Sequence, residues 1–261
     1  SGASGDRIVT PTVVDELPDT PIDLLILAVK AGSVADATAG CQGAMARISR
    51  VVTIQNGLGS SDTVADLLGS EKLVVGIAQG FGASIVTPGH VHHNDMKAIR
   101  LGTYGDLPLS SVEELASLWR QVGFDTEAVH DILSAQWEKL ICNVAYSAPC
   151  ALTGLTVGEA MQDDALGPIT RDAALEAYDV AQALNIPLSF DDPVAYVRAF
   201  AERMPDAKPS VLLDIESGKP SEVGVINGSI PQQALKVGLS APVNATLTRL
   251  VQAMENRLST N

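Results

Sequence analysis

Apolar and polar positions in the first half of the chain alternate between short apolar runs and longer amphipathic segments. The run Asp23–Val29 is continuously apolar after its first residue and lies between Pro21 and Gly32, which is typical of a strand buried in a parallel sheet. The alternation then continues, with helices predicted at 33–46 and 60–68 and strands at 51–54 and 73–78. This order predicts an α/β region with a parallel, doubly wound sheet.

The pattern changes after residue 80. Residues 90–93 and 98–102 alternate as shorter strands that suit antiparallel pairing, and residues 112–122 form an amphipathic pattern. From about residue 131 onward helical periodicity prevails, with helices predicted at 132–148, 170–184, 192–203, 210–215, 227–237 and 241–258. We therefore expect an α/β domain at 1–129 followed by an all-α domain at 130–261.

The helix predicted at 132–148 carries a polar stripe in an otherwise apolar sequence. Lys139, Asn143 and Ser147 are four residues apart, so they project from one helix face. A buried ammonium group costs several kcal/mol unless it is paired, so the stripe predicts a site lined with hydrogen-bond donors. The alternative interpretation is a solvated helix face that carries one lysine.

Composition narrows the class of protein. The 261 residues are 46% hydrophobic and 18% charged, which is typical of a globular chain with one or two cores. The net charge of −14 argues against a nucleic-acid partner, because phosphates would be repelled. No apolar run has the length of a membrane span, and no secretory signal is recognised at the start. Cys41, Cys142 and Cys150 have small or apolar neighbours, so we expect reduced thiols in a cytoplasmic protein.

Two loops follow predicted strands of the α/β domain, at the edge where doubly wound sheets bind their ligands. Lys30 follows the first of these strands, and Asn56 lies in Gln55-Asn56-Gly57 after the second. Asn56 is therefore a candidate ligand-binding residue, although Asn-Gly is also a common turn pair. No G-x-G-x-x-G phosphate-binding motif occurs in the sequence.

A second polar group lies in the helical domain. Ser210 and Asp214 are one helical turn apart, and Ser210 is expected to cap its helix while its hydroxyl could also reach a ligand. Glu222 stands beside apolar residues as a possible partner for a buried lysine or a ribose hydroxyl. The three histidines of segment 90–93 lack the carboxylate or cysteine that would complete a metal site, so we expect no metal.

In their order and spacing, these segments resemble the ketopantoate reductase family (2-dehydropantoate 2-reductases) over nearly the whole chain. The motifs that carry the resemblance are Ala28-Val29-Lys30-Ala31, Gln55-Asn56-Gly57-Leu58-Gly59, Pro88-Gly89, Trp137-Glu138-Lys139-Leu140 with Asn143, Ser210 to Asp214, Glu222, and Ile226-Asn227-Gly228. The resemblance implies a partial Rossmann-like doubly wound sheet followed by a helical C-terminal domain.

The resemblance also implies a function, namely NADPH-dependent reduction of a 2-oxo acid to the 2-hydroxy acid by a cytoplasmic homodimer of pantothenate biosynthesis. Lys139 would protonate the ketone oxygen, and Glu222 would position that lysine or hold the cofactor. The substrate would contact Asn56, Asn143, Ser147 and Ser210. The cofactor NADP would contact Lys30, Asn56 and Glu222.

Two departures from the family pattern bear on this function. The family opens with a strand and a glycine-rich loop, and this sequence starts after them, without roughly the first two strand–helix units. We therefore expect either a truncated form or fragment of a longer chain, or a protein that binds the cofactor poorly or not at all. Ser147 and Val157 stand where pantoate-reducing members usually have asparagines, which implies fewer amide contacts and a related 2-oxo acid as the substrate. The alternative function is that of a catalytically silent homologue, which binds a small acid or assembles with itself.

Overall fold

The computed structural model of the chain describes residues 1–2, 5–80, 82–95 and 98–258. It divides into two compact units. The first comprises residues 1–55 and 60–132, and the second comprises residues 56–59 and 133–261. The division therefore falls three residues after the predicted boundary, and the short segment 56–59 belongs to the helical unit, which the sequence did not predict.

The first unit is built on a mixed sheet. The strands of the described residues are β1 (Leu25–Leu27), β2 (Val51–Thr53), β3 (Leu73–Gln79), β4 (Gly82–Thr87), β5 (His90–Asp95), β6 (Ala98–Thr103) and β7 (Thr126–Val129). Five of them form one sheet in the order β1-β2-β3-β6-β7, while β4 and β5 form a separate antiparallel pair. All pairs in the larger sheet are parallel except β3 with β6. The predicted parallel arrangement is confirmed for β1 to β3, and the antiparallel character expected after residue 80 appears in β5 and β6.

The first strand is shorter and less buried than the sequence predicts. Only Leu25–Leu27 forms β1, which is the outermost strand of the sheet as described. Leu27 is buried, but Ile26 is 46% exposed and Val29 39% exposed. The expectation of a strand buried on both faces was therefore wrong, because one face of β1 is left open.

The helices of the first unit are α1 (Val34–Ala39), α2 (Ser60–Leu68) and α3 (Leu109–Gln121). The helix predicted at 33–46 stops at Gly40 and gives way to a 3-10 segment, Gln42–Arg47. Gly40 and Gly43 lower the helix propensity of this stretch, which explains the break. The short strands β4 and β7 were not predicted.

The second unit is helical. Its helices are α4 (Ile132–Thr153), α5 (Val157–Gln162), α6 (Leu166–Ala183), α7 (Pro193–Arg203), α8 (Ser210–Glu216), α9 (Ser229–Lys236) and α10 (Pro242–Leu258), although Ile132 itself belongs to the first unit. All six predicted helices are present with shifted ends. The missed helix α5 is only six residues long, and it begins with a capping box between Thr156 and Glu159. The fold class, α/β followed by all-α, is confirmed.

Helix α4 lies at the centre of the helical core. Its side chains Trp137, Leu140, Ile141 and Val144 are buried in the main apolar cluster of this unit. The helix continues through Pro149, which removes one backbone donor without ending it. Lys139 is thus carried on a helix that is fixed by burial on its apolar side. Among the residues that the structure describes, no helix is long and apolar enough to cross a membrane.

Candidate active site

Lys139 and two other polar side chains of the helical unit, Asn56 and Glu222, form a continuous chain of contacts. The Lys139 ammonium donates a hydrogen bond of 2.7 Å to Oδ1 of Asn56. Nδ2 of the same Asn56 donates to Oε2 of Glu222 at 3.5 Å, the long end of the hydrogen-bond range. One carboxamide therefore bridges an ammonium group and a carboxylate, with its oxygen toward the cation and its nitrogen toward the anion.

Backbone geometry fixes Asn56 at this place. Gly57 has a φ of +78°, and a Cβ atom built on it would lie 2.1 Å from the carbonyl oxygen of Val225. The next residue, Leu58, donates its N–H to that same carbonyl at 3.1 Å. Only glycine permits both the left-handed conformation and this close approach, so Gly57 seats Asn56 against the segment that carries Glu222.

Asn227 ties that segment to α4. Its fully buried carboxamide donates to the carbonyl oxygen of Val144, at 2.8 Å, and to Oδ1 of Asn244, at 2.9 Å. The sequence marked Asn227 only as part of a motif and gave it no role. A buried amide between apolar residues and a glycine, Ile226-Asn227-Gly228, was the available signal, since such a group needs partners.

Burial and charge act on Lys139 in opposite directions. Lys139 is half-buried, and desolvation lowers its pKa to about 8, although the negative charge of Glu222 works to raise it. The ammonium form therefore prevails at neutral pH, but it gives up its proton more readily than a solvated lysine. A lysine in this state is suited to proton donation near neutral pH.

The other two members of the predicted stripe follow Lys139 along α4. Asn143 is half-buried and Ser147 is buried. Neither side chain forms a hydrogen bond with any residue that the structure describes. The stripe thus carries an amide and a hydroxyl whose hydrogen-bonding capacity is not taken up by the described protein groups. That they contact a ligand stays a prediction.

Ser210 differs from its prediction in one respect. It is the first residue of α8 and is exposed, whereas the capping position is held by Pro209 and has no side-chain hydrogen bond. The predicted capping role was therefore wrong. Val157, the residue expected to be an asparagine in pantoate-reducing members, is buried at the start of α5.

Lys30 belongs to the first unit. It is exposed and comes three residues after the end of β1. The loop before it is held by Gln55, whose Nε2 donates to the carbonyl oxygens of Leu27, at 2.6 Å, and Val29, at 3.0 Å. The carboxyl ends of β1 and β2 are thereby joined.

A metal site requires several ligating side chains that lie close together. Within the described ranges, no group of three or more His, Cys, Asp or Glu residues could hold a metal ion. The cysteines Cys41, Cys142 and Cys150 are all free and buried. Their thiols lie in the apolar cores of the two units.

Comparisons with known proteins point to one family. The family model for ketopantoate reductase PanE/ApbA matches residues 1–106, and the model for the C-terminal part of ketopantoate reductase PanE/ApbA matches residues 131–255. A 2-dehydropantoate 2-reductase of Pyrococcus horikoshii is 30% identical over 241 residues, which cover 92% of this chain and 78% of that protein.

Solved structures agree with these matches. The crystal structure of 2-dehydropantoate 2-reductase from Methylococcus capsulatus has a TM-score of 0.83 and 28% identity, over 94% of this chain and 77% of that one. The ternary structure of D-mandelate dehydrogenase with NADH and anilino(oxo)acetate also has a TM-score of 0.83, over 94% and 79% of the two chains. At 23% identity, that second likeness shows the fold alone. On the two family models and the Pyrococcus relative, the chain belongs to the ketopantoate reductase family.

Proposed function

We propose that this chain reduces a 2-oxo acid related to 2-dehydropantoate to the 2-hydroxy acid, using NADPH, with Lys139 as the proton donor. The observation that carries the proposal is the bridge from Lys139 through Asn56 to Glu222, with hydrogen bonds of 2.7 and 3.5 Å. The name of the Pyrococcus relative, 2-dehydropantoate 2-reductase, supports the same reaction class.

Lys139 has the acidity that this role needs. A ketone becomes an alkoxide when hydride adds to its carbonyl carbon, and the oxygen must then receive a proton. An ammonium group with a pKa of about 8 is largely protonated at neutral pH and can transfer its proton to that oxygen. Its positive charge also stabilises the developing alkoxide.

Glu222 and Asn56 would position Lys139 rather than exchange its proton. The Asn56 oxygen accepts a hydrogen bond from one N–H of the ammonium group. This bond fixes the orientation of the group and therefore the directions of its other two N–H bonds. The Glu222 carboxylate favours the charged form of Lys139 and offsets part of its desolvation. Together they would keep a proton on Nζ until the substrate oxygen arrives.

The substrate would be held by the polar stripe of α4 and by α8. A 2-oxo acid presents a carboxylate and a ketone oxygen, both of which accept hydrogen bonds. The Asn143 amide and the Ser147 hydroxyl can donate to them from the same helix face as Lys139. Ser210, exposed at the first position of α8, is proposed as a further donor. Because Ser147 and Val157 replace expected asparagines, we propose a 2-oxo acid with fewer polar substituents than 2-dehydropantoate.

The residues around Lys139 fit the nicotinamide–ribose end of a dinucleotide. The Glu222 carboxylate has up to four acceptor positions and can bind ribose hydroxyls in addition to its contact with Asn56. When bound, the nicotinamide supplies the hydride. We propose Asn56, Glu222 and Lys30 as cofactor contacts and NADP as the preferred form. D-mandelate dehydrogenase, which has the same fold, is described with NADH, so the choice between the two forms is open to direct measurement.

We further propose that the protein acts as a cytoplasmic homodimer in pantothenate biosynthesis. The three free, buried cysteines are consistent with a reducing compartment. The dimer and the pathway rest on the family membership, and light scattering after size-exclusion chromatography measures the dimer directly.

The decisive experiment compares Lys139→Ala with a matched lysine variant. Replacement of Lys139 removes the proposed proton donor, so kcat should fall about 10²- to 10⁴-fold. NADPH binding, followed by the fluorescence of the two tryptophans, should persist. Lys236→Ala removes an exposed lysine at the end of α9 and should keep full activity.

Two results would contradict the proposal. An unchanged kcat in Lys139→Ala would remove the lysine from the chemistry. A wild-type chain that binds a 2-oxo acid but neither binds nor oxidises NADPH at millimolar concentration would favour the alternative, a small-acid-binding homologue without turnover.

A further inference from the structure

A second concave site lies in the helical unit, among α4, α5, α6 and α7. It is a shallow pocket that is partly open to solvent. Its polar lining comes from Tyr146, Thr170, Arg171 and Arg198, and the rest of the lining consists of a methionine and two valines. None of these residues belongs to the set proposed for reduction of the 2-oxo acid.

The two arginines of this pocket have no protein partner in the part of the chain that the structure describes. Arg171 is half-buried and Arg198 is exposed, and neither forms an ion pair or hydrogen bond with a described residue. Glu202 lies one helical turn after Arg198 on α7, yet it does not form an ion pair with Arg198.

Four of the other arginines behave differently, whereas Arg203 and Arg249 also form no ion pair with a residue that the structure describes. Arg47, Arg50, Arg100 and Arg120 each pair with a carboxylate. The chain has 31 acidic residues and only 17 basic ones, so carboxylates are plentiful. Two guanidinium groups that line one pocket without a carboxylate are therefore not explained by pairing within the fold.

The neutral polar groups of the pocket leave the guanidinium groups as its main donors. The Tyr146 hydroxyl donates to the carbonyl oxygen of Val197 at 3.0 Å, and the Thr170 hydroxyl donates to the carbonyl oxygen of Gly167 at 2.8 Å. Burial raises the pKa of Tyr146, and the nearby positive charges of Arg198 and Arg171 offset part of this rise. The pocket is thus electropositive and rich in N–H donors.

We propose that this pocket binds a dianionic phosphate group, either as inorganic phosphate or as a small phosphomonoester, through the guanidinium groups of Arg171 and Arg198. Two positive charges match the two negative charges of the ligand at neutral pH. The planar fork of each guanidinium can donate two parallel hydrogen bonds to phosphate oxygens, which a lysine cannot do. The hydroxyl oxygens of Tyr146 and Thr170 can accept a hydrogen bond from a protonated phosphate oxygen.

The test is calorimetric titration of the full chain with inorganic phosphate and, separately, with glycerol 3-phosphate, in chloride buffers of matched ionic strength. Arg171→Ala and Arg198→Ala should each weaken binding about tenfold or more, since each removes charge-assisted hydrogen bonds. Arg249→Ala removes an exposed arginine of α10 and should bind as the wild type does. Lys139→Ala should also bind normally.

Each outcome of this experiment decides the proposal. Tighter binding of glycerol 3-phosphate identifies a phosphomonoester, and equal or weaker binding identifies free phosphate. Arg171→Lys and Arg198→Lys retain the charge but lose the fork, so they should bind more weakly than the wild type with an unchanged circular dichroism spectrum. The proposal is overturned if neither phosphate compound binds, or if binding is lost in Lys139→Ala and retained in the arginine variants.

Discussion

Replacement of Lys139 by methionine should stabilise the protein at neutral pH even as it abolishes the proposed chemistry. The methionine side chain fills a similar volume without a charge that must be desolvated. The wild-type ammonium group is held at a cost, because burial lowers its pKa from 10.5 to about 8. Active sites commonly keep groups of this kind at the expense of stability.

The size of the effect follows from the two pKa values. Their difference corresponds to about 3 kcal/mol at 1.36 kcal/mol per pH unit, which we discount to about 2 kcal/mol because Lys139 is only half-buried. The lost hydrogen bond to Asn56 costs about 1 kcal/mol. We therefore expect Lys139→Met to gain about 1 kcal/mol at pH 7.

The gain should depend on pH in a defined direction. Below pH 8 both the folded and unfolded chains hold the proton, so the wild type bears the full penalty. Between about 8 and 10.5 the unfolded chain holds more protons than the folded one, so wild-type stability rises with pH and the advantage of the variant is lost. Above this range only the hydrogen-bond loss remains, and the variant should be the less stable protein.

Urea unfolding followed by far-UV circular dichroism at about pH 7 and about pH 10.5 measures this difference. Comparison of variant with wild type at each pH cancels the titration of all other groups. Lys236→Met, at an exposed position, is the matched control and should show no pH-dependent difference. The reasoning is refuted if the stability difference between Lys139→Met and wild type is the same at both pH values.

Three further predictions concern the same site. In the reduction direction, kcat/KM should fall as the pH rises through about 8, where Lys139 loses its proton. Glu222→Gln should move that fall to lower pH by roughly 1 unit, because loss of the carboxylate favours neutral Lys139. A pH–rate profile of each protein measures both effects. Gly57→Ala should reduce both activity and thermal stability far more than Gly59→Ala, because both glycines have positive φ but only Gly57 has a carbonyl oxygen 2.1 Å from its would-be Cβ. Asn227→Ala should lower the free energy of unfolding by about 1–3 kcal/mol in urea titrations, since it leaves the buried Oδ1 of Asn244 without its donor and removes a second donor from the Val144 carbonyl oxygen. A loss below about 0.5 kcal/mol would contradict this role.

Periodicity predicted the helices and most strands because these elements bury one continuous apolar face. It failed where burial is not continuous. Strand β1 looked buried on both faces from its composition, yet Ile26 is exposed because burial depends on neighbouring strands rather than on the segment itself. Helix α5 is too short to give a periodic signal, although its capping box could have been recognised in the sequence.

The sequence singled out Lys139, Asn56 and Glu222 but not the hydrogen bonds that join them, and the roles of all the predicted site residues stay predictions. The four-residue spacing of Lys139, Asn143 and Ser147 places them on one face in any helix. The bridge through Asn56 depends on a close approach of Gly57 to a segment far away in sequence, and local patterns contain no information on such a contact. The buried Asn227 was missed for the same reason, because its partners lie 83 and 17 residues away.

Because residues 56–59 belong to the helical unit, they cannot form their native contacts until that unit has been translated. Asn56 is synthesised 83 residues before Lys139 and 166 residues before Glu222. At about 5–20 residues per second, Asn56 waits roughly 10 to 30 s for Glu222 to appear. All of the α/β unit, which ends at residue 132, has been synthesised by then, while the segment 56–59 still lacks its partners in the helical unit. The hydrogen bonds that join Lys139, Asn56 and Glu222 are therefore among the last contacts of the molecule to form during translation.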